Sequence, residues 1–394
     1  MKKPPGPIRA VKRLLDRIFF SVMWMSLKRR PTVTGRAILL VRTDGVGDFV
    51  FFARYLPSMK MSFPNYTVAL VCREETADLA RCVPLIDTVI PFKHLPYRHN
   101  YFHRLYVLQK IRSLSPAYAA YLSFHREHIG DEMTILSGAG ETFGFSGNDE
   151  CIHPSVRRKN NSYYKHILEA PDHIPEKEKY LRFFEAISGK EPIESSVSFS
   201  VEKRDYDAVE NYLRCQFTGN TPQFIVLGPC GSAAIREWHE ERFAALADAL
   251  IAKIGFSVVL CGKKSEHWRL QSIAGRMKYQ VAIASSFSLP QVVALLRKAS
   301  LFVGNESGLL HLAATVGIPA VGILGGGHFS RYFPYGNIQI VTNKLPCFEC
   351  NWSCVFEKPL CITDITVEDV VANIEKLLIS TKSLEQTVEY QRGE

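Results

Sequence analysis

A chain of 394 residues has room for two or three domains, each large enough to bury its own core. With 46% apolar and 22% charged residues it belongs with ordinary globular chains, neither disordered nor polytopic. The formal charge of +9 is confined to residues 1–36, which hold ten Lys and Arg against one acid, Asp16; the other 358 residues carry 38 of each sign, which leaves no basic groove for nucleic acid.

Within the basic leader, residues 1–34, Ile8, Val11, Leu15, Ile18, Val22 and Met25 recur at alternating intervals of three and four, with Leu14 and Phe19 widening the face. That spacing predicts an amphipathic helix. The nearly apolar run 18–27 is too short to cross a bilayer, and Lys28-Arg29-Arg30-Pro31 stands where a signal peptide would have small residues. The leader therefore reads as a helix lying on the anionic cytoplasmic face of the inner membrane, with Phe19, Phe20 and Trp24 as interfacial anchors. The alternative is a helix docked on the protein's own body.

Strand and helix patterns then alternate. Ala37–Val41 reads as a strand running into Asp44-Gly45-Val46-Gly47 and a helix over 48–58. Strands follow at 66–72 and 88–91, residues 95–115 fit either pattern, 148–175 shows no clear element, and a strand at 197–201 follows a helix near 180–188. A second series begins with a helix over 205–215. It continues with strands at 224–227, 257–261, 301–303 and 320–324, separated by helices over 240–254, 289–298 and 307–316; a last helix covers 366–378. Continuous apolar strands joined by helices imply parallel sheets covered on both faces. The chain is thus expected to be α/β, with Rossmann-like doubly wound domains over 35–195 and 205–380 and a solvated tail, 381–394. Ligands in such folds sit beyond the carboxyl ends of the strands, where the Gly-bearing turns lie.

Four constellations fall at such ends. Asp48 follows the turn after the first strand, as a helix cap or as a reactive carboxylate. The loop 228–238 carries Gly228 and Arg236. Residues 304–314 join a strand to a helix, so the amides of Ser307, Gly308 and Leu309 are placed to hold a phosphate, with Glu306 before them and His311 one turn on. Of ten cysteines, six are scattered in the manner of a reducing compartment. The other four, Cys347, Cys350, Cys354 and Cys361, crowd into fifteen residues, enough to close a structural site for zinc or iron or to stand as free thiols. Asp205-Tyr206-Asp207 reads as first-turn acids of a helix, not as a metal–sugar motif.

Taken in order, Ile38-Leu39-Leu40-Val41-Arg42 with Gly47-Asp48, Arg236-x-Trp238 with Glu241-Arg242-Phe243-Ala244-Ala245-Leu246-Ala247, and Asn305-Glu306-Ser307-Gly308-x-x-His311-Leu312-Ala313-Ala314 resemble glycosyltransferase family 9, which holds the heptosyltransferases of bacterial lipopolysaccharide assembly. The resemblance spans about 37–380. It implies a GT-B fold, with the acceptor on the N-terminal side and a nucleotide-sugar donor, ADP-heptose as first choice, on the C-terminal side. It implies an inverting transfer that needs no catalytic cofactor: Asp48 as general base, Arg236 on the leaving phosphates, Ser307 and Gly308 on the diphosphate, Glu306 on sugar or ribose hydroxyls. Some members hold a metal on a cysteine loop in this region. Two positions depart from the family pattern, Glu306 where Asp is usual and Gly325-Gly326-Gly327-His328 where Gly-Pro-Thr is common. The acceptor, a glycolipid or glycan, has His94, Arg98, His125 and Arg126 as candidate contacts. A nucleotide-sugar epimerase of the same architecture and a non-catalytic metal-stapled membrane adaptor are the alternatives; an Asp48 remote from the phosphate loop would favour the adaptor.

Overall fold

A computed structural model describes residues 7–27, 35–148, 150–171, 174–217, 223–231, 233–336 and 338–392, with side chains from residue 11 to 379 except Arg13. Ser232 and the side chains of Ile8 and of the 381–394 tail lie outside what is described. The chain forms two compact units. The first comprises 1–45, 55–172 and 178–195, the second 46–54, 173–177 and 196–394.

The first unit is built on a parallel sheet of β1 (Ala37–Val41), β2 (Thr67–Arg73), β3 (Thr88–Phe92), β4 (Tyr118–Tyr121), β5 (Glu141–Phe145) and β6 (His166–Leu168), in the order β3-β2-β1-β4-β5-β6. The second repeats that winding with β7 (Phe224–Gly228), β8 (Ser257–Cys261), β9 (Ala282–Ala284), β10 (Leu301–Asn305), β11 (Ala320–Ile323) and β12 (Ile338–Val341), ordered β12-β11-β10-β7-β8-β9. Central strands β1, β7 and β10 are buried at every residue, which is why they read as unbroken apolar runs. In each sheet the winding reverses beside the first strand, and the turns after β1, β7 and β10 open there.

Several elements differ from expectation. The ambiguous stretch 95–115 holds two helices, His94–His99 and Tyr101–Ser113, with Asn100 capping the second through its side chain. The stretch 148–175 contains the helix Pro154–Asn161 and β6. No strand forms at 197–201, where Val197 and Phe199 pack their side chains without a ladder partner. The helix after β1 spans Val46–Ala53 and restarts at Leu56–Ser62.

The leader is a helix, Pro7–Leu27, and it docks on the first unit. Phe20 and Met23 enter the core beside Val107, Leu108 and Met133, while Phe19, Trp24 and Leu27 pack against it. Phe19 and Trp24 also meet the rings of Tyr101 and Tyr163. The assignment of Phe19, Phe20 and Trp24 as membrane anchors is therefore corrected: these aromatics hold the helix to the protein. Among the described residues no helix is long and apolar enough to cross a membrane.

Buried Arg104 fixes that docking, pairing with Asp16 of the leader at 2.5 Å and with Glu132, itself 1% exposed. Removing one partner of a buried pair strands the other charge. Arg104→Met is expected to lower unfolding free energy by about 3 kcal/mol, checked by denaturant titration; a loss below about 1 kcal/mol, the value of a surface pair, would show that the contact does not hold the helix.

Candidate functional site

Two helix N-termini meet in the second unit. Val46–Ala53 begins Val-Gly-Asp, and Gly308–Val316 begins after Ser307. They touch through glycine: a Cβ on Gly47 would stand 3.3 Å from Gly308 Cα and 3.0 Å from the His311 ring, and one on Gly308 would stand 3.2 Å from the Gly47 nitrogen. Ser307 is extended and does not cap its helix, and its buried Oγ has no hydrogen-bond partner among the described residues. The first amides of that helix and this hydroxyl form a set of donors suited to an anion.

Asp48 lies in the first turn of its helix, partly exposed, where the helix dipole favours a negative charge. Its Oδ1 accepts a 2.6 Å hydrogen bond from the Tyr332 hydroxyl. Burial, and then the Asp48 charge, push the Tyr332 phenol well above its ordinary range, so it stays a donor. Asp44, the other carboxylate of the turn, is gripped by Arg42 through Nε at 3.0 Å and Nη2 at 2.5 Å.

His311 packs in an aromatic wall. Its ring lies parallel to Tyr335 and near-parallel to Phe333, at 5.7 and 5.6 Å between centroids, and its Nδ1 is hydrogen-bonded to the Tyr335 hydroxyl. Burial drives its pKa down to about 4, leaving the imidazole neutral. Glu306 is buried, and desolvation pushes its carboxyl up while Arg236 and Arg331 pull it back. Arg331 in turn donates to Glu176 at 3.1 Å.

Arg236 ends a 3-10 turn, Ala234–Arg236, with its guanidinium 5.2 Å from the Trp352 ring centre and Nη2 3.4 Å from His328 Nδ1. Asn305 fixes this loop. Its side chain accepts from the Trp238 backbone at 3.0 Å and donates to the Pro229 carbonyl at 2.6 Å, tying the end of β10 to both ends of the arginine-bearing turn. Gly228 is a packing residue: a Cβ there would strike the Phe302 ring at 2.6 Å. Tyr332, Asn305, His328 and Trp352 escaped the sequence reading as site residues, although Asn305 stood inside a quoted motif.

The Gly325-Gly326-Gly327 turn after β11 admits rings of the cysteine loop. Added Cβ atoms there would lie 2.8, 2.3 and 2.3 Å from Trp352, Phe348 and Trp352 respectively. Glu349 and Asn351 donate backbone hydrogen bonds to the Gly326 and Gly327 carbonyls. Glu349, Asn351 and Trp352 adopt left-handed backbone, with φ of 66, 51 and 59°. Cys347, Cys350, Cys354 and Cys361 line one cavity of about 10 Å³. Among the described residues no group of three or more His, Cys, Asp or Glu is arranged to hold a metal ion, so the expected zinc or iron site is not preformed.

Of the candidate acceptor contacts, Arg126 is walled in by Asp131, the Phe145 carbonyl and Asn161, and serves packing. His94 pairs with Glu127 at 2.9 Å and His125 with Glu150 at 2.8 Å, while Arg98 is exposed. Asp205 stands in the first turn of Lys203–Gln216, as expected of a helix-terminal acid.

Two Rossmann-like units, each on a six-stranded parallel sheet, are the GT-B architecture. The profile "Glycosyltransferase family 9 (heptosyltransferase)" matches residues 159–358, just over half of the chain, and the protein belongs to that family. It is 24% identical over 361 residues to the lipopolysaccharide core heptosyltransferase OpsX of Haemophilus influenzae, covering 88% of this chain and 98% of that one. Solved structures of similar fold include a glycosyl transferase family 9 protein of Veillonella parvula (TM-score 0.74, 17% identity, 89% and 99% coverage). The E. coli ADP-heptose LPS heptosyltransferase II is another (TM-score 0.70, 17% identity, 88% and 99% coverage).

The neutral His311 makes stability pH-dependent. Folded, it binds a proton near pH 4; unfolded, near 6.5. The unfolded chain takes up more protons between these values, so stability is retained above 6.5 and falls as pH drops toward 4, by at most about 1.4 kcal/mol per unit. Denaturant titrations at pH 7, 6 and 5 should show this slope in the native chain and a shallower one in His311→Gln; equal slopes would contradict a buried neutral imidazole.

Proposed function

We propose that the protein catalyses inverting transfer of heptose from ADP-heptose to a sugar hydroxyl of the lipopolysaccharide core, at the cytoplasmic face of the inner membrane. Residues 205–380 take the donor and 35–195 the acceptor. The observation that supports this reading is the Gly47–Gly308 contact, where the helix start bearing Asp48 meets the helix start whose first amides are those of Gly308 and Leu309. It disfavours the adaptor alternative, which needs the two apart.

In this reaction Asp48 takes the proton from the acceptor hydroxyl as its oxygen attacks the anomeric carbon, and ADP departs from the opposite face. The Tyr332 hydroxyl donates to the Asp48 Oδ1 and holds the carboxylate in one orientation toward the acceptor. Charge growing on the leaving diphosphate is met by the amides of Ser307, Gly308 and Leu309, the Ser307 hydroxyl and Arg236. Glu306, buried and under the charges of Arg236 and Arg331, takes a sugar or ribose hydroxyl. His311, neutral and aromatic-packed, buttresses the helix against Gly47 instead of moving protons.

Asp48→Asn should keep the rise in unfolding temperature that ADP confers and lose about 10²–10⁴ in turnover, the usual worth of a general base. Tyr332→Phe should lose less, in kcat and not in donor KM. Full turnover in Asp48→Asn would refute the assignment.

The cysteine loop supports a second, separate reading: the four thiols close on zinc or iron after modest rearrangement, the ion bracing the loop that holds Trp352 beside Arg236. Metal analysis of protein purified without chelator should find close to one equivalent, falling in Cys350→Ser. Less than about a tenth of an equivalent would leave free thiols.

A further inference from the structure

Docking the leader through Asp16, Phe20, Met23 and Trp24 leaves its other face uncovered, and that face is apolar. Val11, Leu14, Leu15, Ile18, Val22 and Met25 are each about half exposed, from 47% at Leu15 to 57% at Val11 and Leu14. Scattered exposed leucines need no explanation, but six large apolar residues in one helical stripe do.

The helix is not free to roll the stripe inward. Asp16 is held by Arg104 and by the Tyr101 hydroxyl, the Met23 carbonyl by Arg112 at 3.1 Å, and Lys12 Nζ meets His99 Nδ1 at 3.0 Å. Arg104 and Arg112 are both buried. His99 and Tyr101 belong to the two short helices after β3, whose junction carries further exposed apolar side chains, Leu95 at 67% and Phe102 at 86%, with Arg98 exposed between them.

We propose that the pinned leader helix and the Leu95/Phe102 corner form a rigid docking surface for an anionic lipid bilayer. This deepens the reading of an enzyme acting at a membrane and rests on it. Charge selects the occupant: residues 1–36 carry +9 while the rest of the chain is neutral, so a second copy presenting the same face would be repelled and anionic headgroups attracted. The rigidity distinguishes this surface from a tethered anchor, because the stripe enters the interface with the first unit attached at a fixed angle to the helix. The docking aromatics, by contrast, stay in protein.

The test uses the full chain and sedimentation with vesicles of neutral phosphatidylcholine or of phosphatidylcholine mixed with phosphatidylglycerol. The native protein should sediment with the anionic vesicles, less so at high salt, and weakly with neutral ones. The double variant Ile18→Glu/Val22→Glu should lose about tenfold or more in vesicle affinity, and Phe102→Ser should weaken binding in the same assay. Both should keep the native unfolding temperature, the ADP-induced shift and turnover on a soluble, lipid-free acceptor. Loss of that turnover in the native protein would count against the transferase reading, not against the surface. Vesicle binding by the double variant equal to native would overturn the proposal. So would a native dimer that ignores vesicles and becomes monomeric in the double variant, which would assign the stripe to a second copy.

Discussion

The approach of two helix N-termini through a pair of glycines is the constraint on which the site depends. A Cβ at Gly47 or Gly308 would stand 3.0–3.3 Å from the facing helix start, so the His311 ring or one helix would have to give by a few tenths of an ångström. With none there, the first turn that bears Asp48 adjoins the first amides of the facing helix. The dipoles of the two helices favour negative charge at both of these N-termini. The two carboxylates of the second unit at this turn, Asp48 and Glu306, each have a partner or an opposing charge. Asp48 is bound to a phenol, and Glu306 is buried where Arg236 and Arg331 favour its charged form.

Around that contact, the surrounding shell is stiff. Asn305 spends its amide on two backbone groups of the loop that bears Arg236, and the Trp238 indole is anchored to the Ile365 carbonyl at 2.8 Å. On the other side Phe51, Tyr332, Phe333 and Tyr335 enclose His311. The triple-glycine turn, which departs from the family pattern, has a steric cause: the Phe348 and Trp352 rings occupy the space where side chains would stand. Trp352 then faces Arg236, so the triple-glycine turn and the cysteine loop form one assembly with that arginine.

Much of the fold was legible because its central strands are buried on both faces and their turns carry glycine. Residues that recur in short motifs, Asp48, Arg236 and the 304–314 segment, could be placed at strand ends from pattern alone. What stayed hidden was of two kinds. The interior strands β4 and β5, broken by tyrosine, threonine and glycine, and the short edge strands β6, β9 and β12 lack the apolar run of β1, β7 and β10, and the helices at 94–113 mix aromatic and basic residues without a clean period. The second kind was pairing across sequence distance: nothing local links Tyr332 to Asp48 or Asn305 to Trp238. The leader shows the same limit. Its periodicity marked the apolar stripe correctly, but periodicity does not say which face the protein covers, and the body took the side bearing Asp16, Phe20 and Met23.

The glycine contact is most directly tested by single-turnover transfer in Gly47→Ala, run with saturating ADP-heptose and a lipopolysaccharide-core acceptor. The added methyl must push back the His311 ring or part the two helices by a few tenths of an ångström. Positioning of this kind predicts a fall in the transfer rate of about tenfold or more, with ADP-induced stabilisation nearly unchanged. A native transfer rate in that variant would contradict the account.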